Sequence, residues 1–324
     1  MAEHPVHAAA AGQHGNSGTN PTTPTSQAAA VTGAPLPLSV WPTAQQPAAR
    51  QRAGRYLPAS TAHPAKMLPQ IASTAIHRYS KPGELVLDPM CGIGTTLVEA
   101  AHLGRVGLGV EREPRWAQLA TDNLTHAAAH GATGAGTVVT GDARSLLDLL
   151  DASLHGEVAL VLTSPPYGPS VHGQVDARPG HGVAKYDNRY TDSSDRADLA
   201  RASDHELLGA MEQILGACRT FLRPGGVVVL TARPWRRRGL LVDFPGALVR
   251  AGEHAGLVPF ERNVALLVGL NGDRPAGRPS FFQLDRVRKA RAAGVPLRII
   301  AHEDVLIFRC PAIPAGSGEL KVLR

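Results

Sequence analysis

The segment Leu85-Val86-Leu87-Asp88-Pro89-Met90-Cys91-Gly92-Ile93-Gly94-Thr95-Thr96 joins an apolar run to a glycine turn and then to a helical pattern. Junctions of this kind cradle nucleotide cofactors, because the turn lets a ligand approach the backbone and the helix start offers free amides. A GxG turn alone would equally serve as an ordinary link between strand and helix. Two details point to a ligand other than a dinucleotide. The third glycine of the dinucleotide fingerprint is missing, with Leu97 in its place. Asp88 stands at the strand end, where a carboxylate repels a pyrophosphate and attracts a cation.

The next two strand ends also carry acids. One reads Gly109-Val110-Glu111, 23 residues beyond Asp88 (111 − 88), a spacing at which an acid accepts ribose hydroxyls. The other reads Thr140-Gly141-Asp142-Ala143, which sets an acid where an adenine amino group would lie. Any one of these acids alone would equally serve as a helix cap. Three in series describe a nucleoside with a cationic tail, and S-adenosylmethionine, with its ammonium and sulfonium, is such a molecule.

A fourth strand ends Leu162-Thr163-Ser164-Pro165-Pro166-Tyr167-Gly168. Two prolines bar this segment from continuing a sheet ladder and stiffen a bend. Such a bend can point carbonyls and a hydroxyl into a cleft, and the tyrosine adds a face for stacking. No cysteine stands in this segment. Cys91 lies in the glycine turn, where packing is its expected role.

These residues need a scaffold of alternating strands and helices. Apolar runs at 85–87, 106–110, 138–139, 158–162, 227–230, 264–268 and 305–308 read as strands. Helical patterns fill 95–103, 114–130, 144–150, 204–222 and 243–255. The expectation is an α/β, Rossmann-like fold with a mostly parallel sheet, helices on both faces and the ligand at the carboxyl ends of the strands. Residues 1–54, rich in Ala, Gly, Pro, Ser, Thr and Gln, are expected to form a disordered tail, with Trp41 as a candidate docking point. Residues 55–324 then form the catalytic domain, interrupted at 168–202 by an irregular insert.

The 324-residue chain is 43% hydrophobic, enough for one large core, and its formal net charge of +6 favours a polyanionic partner. Three scattered cysteines exclude a disulfide framework and a structural zinc site, and no metal is expected. No run of about 20 apolar residues suggests a membrane span, and no leader pattern opens the chain, so the expected location is the cytoplasm.

Taken together, Thr163–Tyr167 resembles the (S/T/D/N)-P-P-Y motif of amino-methyltransferases that act on DNA, and Asp88–Thr96 resembles their cofactor motif, with Met90 in place of the usual Phe. His63-Pro64-Ala65-Lys66-Met67-Leu68-Pro69 is similar to the segment that closes over the methionine end of the cofactor. His302-Glu303-Asp304-Val305-Leu306-Ile307-Phe308-Arg309 is similar to a late strand of the same family. The likeness covers residues 56–310, in a permuted motif order. It implies a class I methyltransferase with a seven-stranded sheet, S-adenosylmethionine as cofactor, and methylation of an exocyclic amino group on a flipped base in double-stranded DNA. Ser at the first motif position leans toward cytosine N4 over adenine N6.

By that resemblance Ser164, Pro165, Pro166 and Tyr167 form the catalytic loop. His63, Pro64, Asp88, Pro89, Met90, Cys91, Gly92, Gly94, Thr95, Thr96, Glu111, Asp142, Ala143 and Thr163 surround the cofactor. DNA contacts fall to the insert (Arg178, Lys185, Arg189) and to the basic run Arg236, Arg237 and Arg238. A companion restriction endonuclease fits this picture, and the oligomeric state is left open. Two alternatives stand beside it: an RNA methyltransferase acting on a guanine amino group, and a catalytically silent nucleic-acid-binding scaffold.

Overall fold

The computed structural model describes residues 36–166, 199, 202–235, 240–277, 283–285 and 287–312, together with the backbone of 174–178, 182–186, 236–237, 281–282 and 286. In chain order the elements begin with β1 (Val40–Trp41), α1 (Ala48–Arg52), a 3-10 turn (Pro58–Ala62) and α2 (Pro69–Tyr79). Next come β2 (Leu85–Asp88), α3 (Thr95–His102), β3 (Val106–Glu111), α4 (Pro114–Ala129), β4 (Ala135–Thr140), α5 (Leu146–Leu149) and β5 (Val158–Thr163). A hairpin, β6 (Gln174–Arg178) and β7 (Gly182–Tyr186), precedes α6 (Asp204–Phe221) and β8 (Leu222–Ala232). The chain continues through β9 (Trp235–Arg237), β10 (Leu240–Val242), α7 (Phe244–His254), β11 (Val258–Leu266), β12 (Gly269–Asn271), β13 (Arg274–Ala276), α8 (Phe281–Ala292) and β14 (His302–Arg309).

The main sheet has the order β1-β11-β14-β8-β5-β2-β3-β4. Only β14 runs against its neighbours; the pairs β8–β5, β5–β2, β2–β3 and β3–β4 are all parallel. Successive units run outward from β2 through β3 to β4, and the chain then returns to lay β5 on the other side of β2. That reversal opens a crevice at the carboxyl ends of β2 and β5, which is where ligands bind in sheets of this type.

Period-2 alternation divides each strand between two helical layers. On one face Val86, Leu160 and Leu162 meet Ile71, Ala72, Ala75 and Ile76 of α2, while α3 and α4 pack together through Leu97, Val98, Ala101, Trp116 and Leu119. On the other face Leu87, Val161, Leu230 and Phe308 meet Met211, Ile214 and Phe221 of α6 and Leu248 of α7. A capping box at Ser203 and Glu206 starts α6, each side chain receiving the other's backbone N–H.

Two expectations change. The main sheet has eight strands, because β1 adds to the outer edge through Val40 opposite Val264 and Trp41 opposite Ala265. The domain accordingly begins at Leu38 rather than residue 55. Trp41 is fully buried, and Thr43 Oγ1 donates to the Leu266 carbonyl at 2.7 Å, so this stretch has a core contact after all. Most of the expected tail, residues 1–35, lies outside the described residues. Within the expected irregular insert, 174–178 and 182–186 form a hairpin with Gln174 opposite Tyr186.

Candidate functional site

Asp88 ends β2, and α3 begins seven residues later, at Thr95. Gly94 caps α3 with φ +80°, and Gly92 has φ +53°, a region that suits glycine. A Cβ on Gly92 would stand 3.2 Å from His63 Nε2, so the turn and the 63–67 segment are fitted to each other. The close packing that a dinucleotide fold obtains from its third glycine is obtained here from the facing strand. Gly107 and Gly109 of β3 lie beneath Leu97, and a Cβ on Gly109 would fall 2.6 Å from Leu97 Cδ1 and 2.8 Å from Cys91 Sγ.

The three acids have different environments. Asp88 is buried and accepts from Thr96 Oγ1 at 2.6 Å and from the Met90 amide at 3.1 Å. Burial raises its carboxyl to about 6, with the Thr96 and Thr163 hydroxyls and the Met90 amide partly offsetting this. Glu111 accepts from the amides of Gly92 (2.8 Å) and Glu113 (2.9 Å), and burial carries it to about 7. Asp142 receives the Arg144 guanidinium and amide, which hold its carboxyl below the ordinary range.

A cleft of about 420 Å³ runs across these strand ends. Of the residues expected around the cofactor, all except Gly94 and Thr163 line it, and so do Ser164, Pro165 and Pro166. Gly94 instead packs against Ala120, and Thr163 is buried in the end of β5. Tyr167, Arg189 and Arg238 lie outside the described residues. Arg178 ends β6, Lys185 lies on β7, and Arg236 and Arg237 lie on β9.

Several lining residues escaped the sequence reading of the cofactor site: Arg52, Arg112, Glu113, Arg233 and Glu303. Glu303 reaches the cleft because β14 is reversed, so its beginning rather than its end lies at this edge of the sheet. Arg52 donates to the Met67 carbonyl at 2.5 Å, joining α1 to the segment that leads into α2. Lys66, within that segment, is brought down to about 8 by burial and by Arg52. His63 packs edge-on to Trp116 at 4.7 Å, and burial first, then Lys66, holds it down to about 3, so its ring is neutral at ordinary pH.

A polar clamp holds this wall in place. Asn123 of α4 donates to the Ile93 carbonyl (2.9 Å) and to Ser60 Oγ (3.0 Å), and its Oδ1 accepts from the Leu57 amide (2.9 Å). Tyr56 donates to Glu99 at 2.8 Å, and Arg55 pairs with the same carboxylate at 2.8 Å. Nothing local marked Asn123 or Glu99 in the sequence, since their partners lie about 30 to 66 residues away.

The residues present fit S-adenosylmethionine. Carboxylates at the strand ends would suit its ammonium, sulfonium and ribose, and Arg52 and Lys66, which line the same cleft, would supply cations for its own carboxylate. Among the described residues no group of three or more His, Cys, Asp or Glu side chains is arranged to hold a metal. Cys91, Cys218 and Cys310 are buried free thiols, and no described helix is long and apolar enough to cross a membrane.

Fold and cleft define the Rossmann-like architecture of class I methyltransferases. Residues 19–122, about a third of the chain, match the family model N6_N4_Mtase, described as DNA methylase. Fold and family model together imply S-adenosylmethionine as the cofactor. The chain is also 33% identical over 109 residues to a tRNA (guanine(10)-N2)-dimethyltransferase of Methanothermobacter thermautotrophicus, a stretch that is 33% of this chain and 30% of that protein. Its counterpart from Methanocaldococcus jannaschii is 32% identical over the same shares. The match therefore spans less than a third of these curated relatives. Among solved structures, TrmN from Thermus thermophilus aligns with a TM-score of 0.46 and 18% identity, covering 80% of this chain and 52% of that one.

Proposed function

We propose that this protein transfers a methyl group from S-adenosylmethionine to an exocyclic amino group of a base in DNA, with cytosine N4 favoured over adenine N6. The observation that carries this reading is that Ser164, Pro165 and Pro166 line the same cleft as Asp88, Glu111 and Asp142. The bound cofactor supplies an electrophilic methyl group.

An exocyclic amino nitrogen is a poor nucleophile, because its lone pair is delocalised into the ring. Ser164 Oγ and the Pro165 carbonyl accept its hydrogens and free the lone pair for attack, while Tyr167 stacks on the ring. Acceleration then comes from positioning and local electrostatics, with β5 and its two prolines providing a rigid mount. Such a cleft admits a base only after it has left the duplex.

A second reading, methylation of a guanine amino group in RNA, is favoured by the identity to the two archaeal tRNA enzymes. One experiment separates the two. Purified protein is incubated with radiolabelled S-adenosylmethionine and either unmethylated duplex DNA or bulk tRNA, and the nucleosides are analysed by mass. Label recovered as N4-methylcytosine or N6-methyladenine supports the DNA reading. Label confined to guanine of tRNA replaces it with the RNA reading, and no label in either overturns both.

A further inference from the structure

On its cleft side the main sheet carries an excursion. β11 ends at Leu266 and β14 starts at His302, which pairs with it, so residues 267–301 leave the carboxyl edge of the sheet and return to it. The Leu267 amide donates to the Ala301 carbonyl at 2.8 Å and closes the base. The excursion holds the hairpin β12–β13 and the helix α8, which is about 18 Å long at 1.5 Å per residue. Both of its ends adjoin the cleft. Glu303, the second residue of β14, lines it, and the Leu270 amide of β12 donates at 3.4 Å to the side chain of Gln45, three residues before the cleft residue Ala48.

Positive charge gathers on this excursion. Among its described residues Arg274, Arg288, Lys289, Arg291 and Arg298 are cations, all exposed, against two acids, Asp273 and Asp285. Lys289 is paired with Asp285 at 2.8 Å, and the Arg291 guanidinium turns back to the Leu297 carbonyl at 3.5 Å. Arg274, Arg288 and Arg298 make no ion pair among the described residues. Cations in the last turn of a helix complement its dipole, which accounts for Lys289 and Arg291. It accounts for neither Arg274, on β13, nor Arg298, six residues past the end of α8. Like charges gathered this way repel one another, and a polyanion removes that cost. Arg298 stands five residues before Glu303, so at about 3.5 Å per residue its Cα lies within about 18 Å of the cleft lining. A duplex of that length presents about ten phosphates, counting both strands.

We propose that the 267–301 excursion is the phosphate-binding surface for the duplex DNA whose target base enters the cleft, with Arg274, Arg288 and Arg298 as its contacts. For its occupant this rests on the reading that the protein methylates a base in DNA. The contacts are to the backbone, so they hold the duplex over the cleft and read no sequence. Each phosphate they neutralise releases counterions, so affinity through this surface falls steeply with salt. None of the three arginines lines the cleft, so methyl transfer within DNA already bound proceeds without them.

The test compares the wild type with Arg274→Gln/Arg288→Gln/Arg298→Gln and with a control of equal charge, Lys81→Gln/Arg219→Gln/Arg250→Gln, whose positions lie outside the excursion. Affinity is read by fluorescence anisotropy of a labelled, unmethylated duplex between about 50 and 200 mM salt, and turnover with tritiated S-adenosylmethionine. All the substituted side chains are exposed, so both variants should keep the wild-type melting temperature and cofactor affinity. The excursion variant should bind duplex at least ten-fold more weakly at low salt, with a slope of log affinity against log salt shallower by about 2 to 3. Its KM for DNA should rise while kcat stays within about two-fold of wild type, and the control should stay within about three-fold in affinity. Wild-type affinity and slope in the excursion variant, an equal loss in the control, or a fall in kcat with KM unchanged each overturns the surface. A wild type that labels tRNA and not DNA overturns the methylation reading and, with it, duplex DNA as the occupant. Labelled DNA with unaltered binding by the excursion variant overturns the surface alone.

Discussion

Asp88 and Glu111 are carboxylates held in the fold at a cost. Burial lifts them to about 6 and about 7, so without ligand the folded chain keeps protons that an unfolded chain sheds from about pH 4 upward. The sign follows: the ligand-free protein loses stability as pH rises from about 4 to 7, by roughly 3 kcal/mol per group at most. A cationic cofactor reverses this preference, because it binds the ionised acids. Calorimetric titration of S-adenosylmethionine at pH 6, in two buffers of different ionisation heat, should reveal proton release and weaker binding than at pH 8. Asp88→Asn should diminish that release. At the same scale, Ser164→Ala or Tyr167→Ala should leave cofactor affinity within a few-fold of wild type and reduce methyl transfer by a hundred-fold or more. Asp88→Ala should instead weaken cofactor binding. Near-normal turnover in Tyr167→Ala would remove the stacking role.

The helix α3 reaches its position by contact with bare strand. Gly109 leaves no space for a methyl group between Leu97 and Cys91, so Gly109→Ala must push α3 and the glycine turn away from β3. The expected cost is about 1–3 kcal/mol, read as a melting temperature several degrees lower, together with weaker cofactor binding. Gly216→Ala, where the Cβ position is open and φ is not left-handed, serves as the control. Legibility at this level followed locality. The strands that lead to Asp88, Glu111, Asp142 and Ser164 could be read because each is a short apolar run closed by its own glycine, acid or proline. The turn at Gly92–Gly94 could be read for the same reason. β1 could not, since two residues carry no period and their partners lie more than 220 positions away. Glu303 was read as part of a strand and not as a cleft residue, because the reversal of β14 is a property of the sheet. The pairing of β9 with β10 was visible in the sequence only as a basic run, since three-residue strands carry no period.

For the molecule as a whole, the segment from Leu38 to Pro69 is attached at several points, at the sheet edge, at the clamp on Glu99 and Asn123, and at the cleft. Trp41 is buried beside β11 at the sheet edge, while Arg52 and His63–Met67 form a wall of the cleft. Removing residues 1–37 should therefore leave melting temperature and cofactor binding unchanged. Removing residues 1–54 should abolish cofactor binding and destabilise the domain, and Trp41→Ala should itself cost roughly 3–5 kcal/mol in thermal or denaturant melts.

The attachment of Trp41 and Thr43 to β11 also fixes an order of events during synthesis. The strand that receives them is Val258–Leu266, so this early segment leaves the ribosome long before its berth exists. Domains assemble as their parts emerge, and a contact across some 220 residues is among the last to close. A truncated nascent chain would display the acids, the glycine turn and the clamp at Asn123 and Glu99, yet leave Trp41 without the strand that covers it. Burial of Trp41 therefore waits on the synthesis of β11, whereas the wall of the cleft is held by contacts made within the first 123 residues.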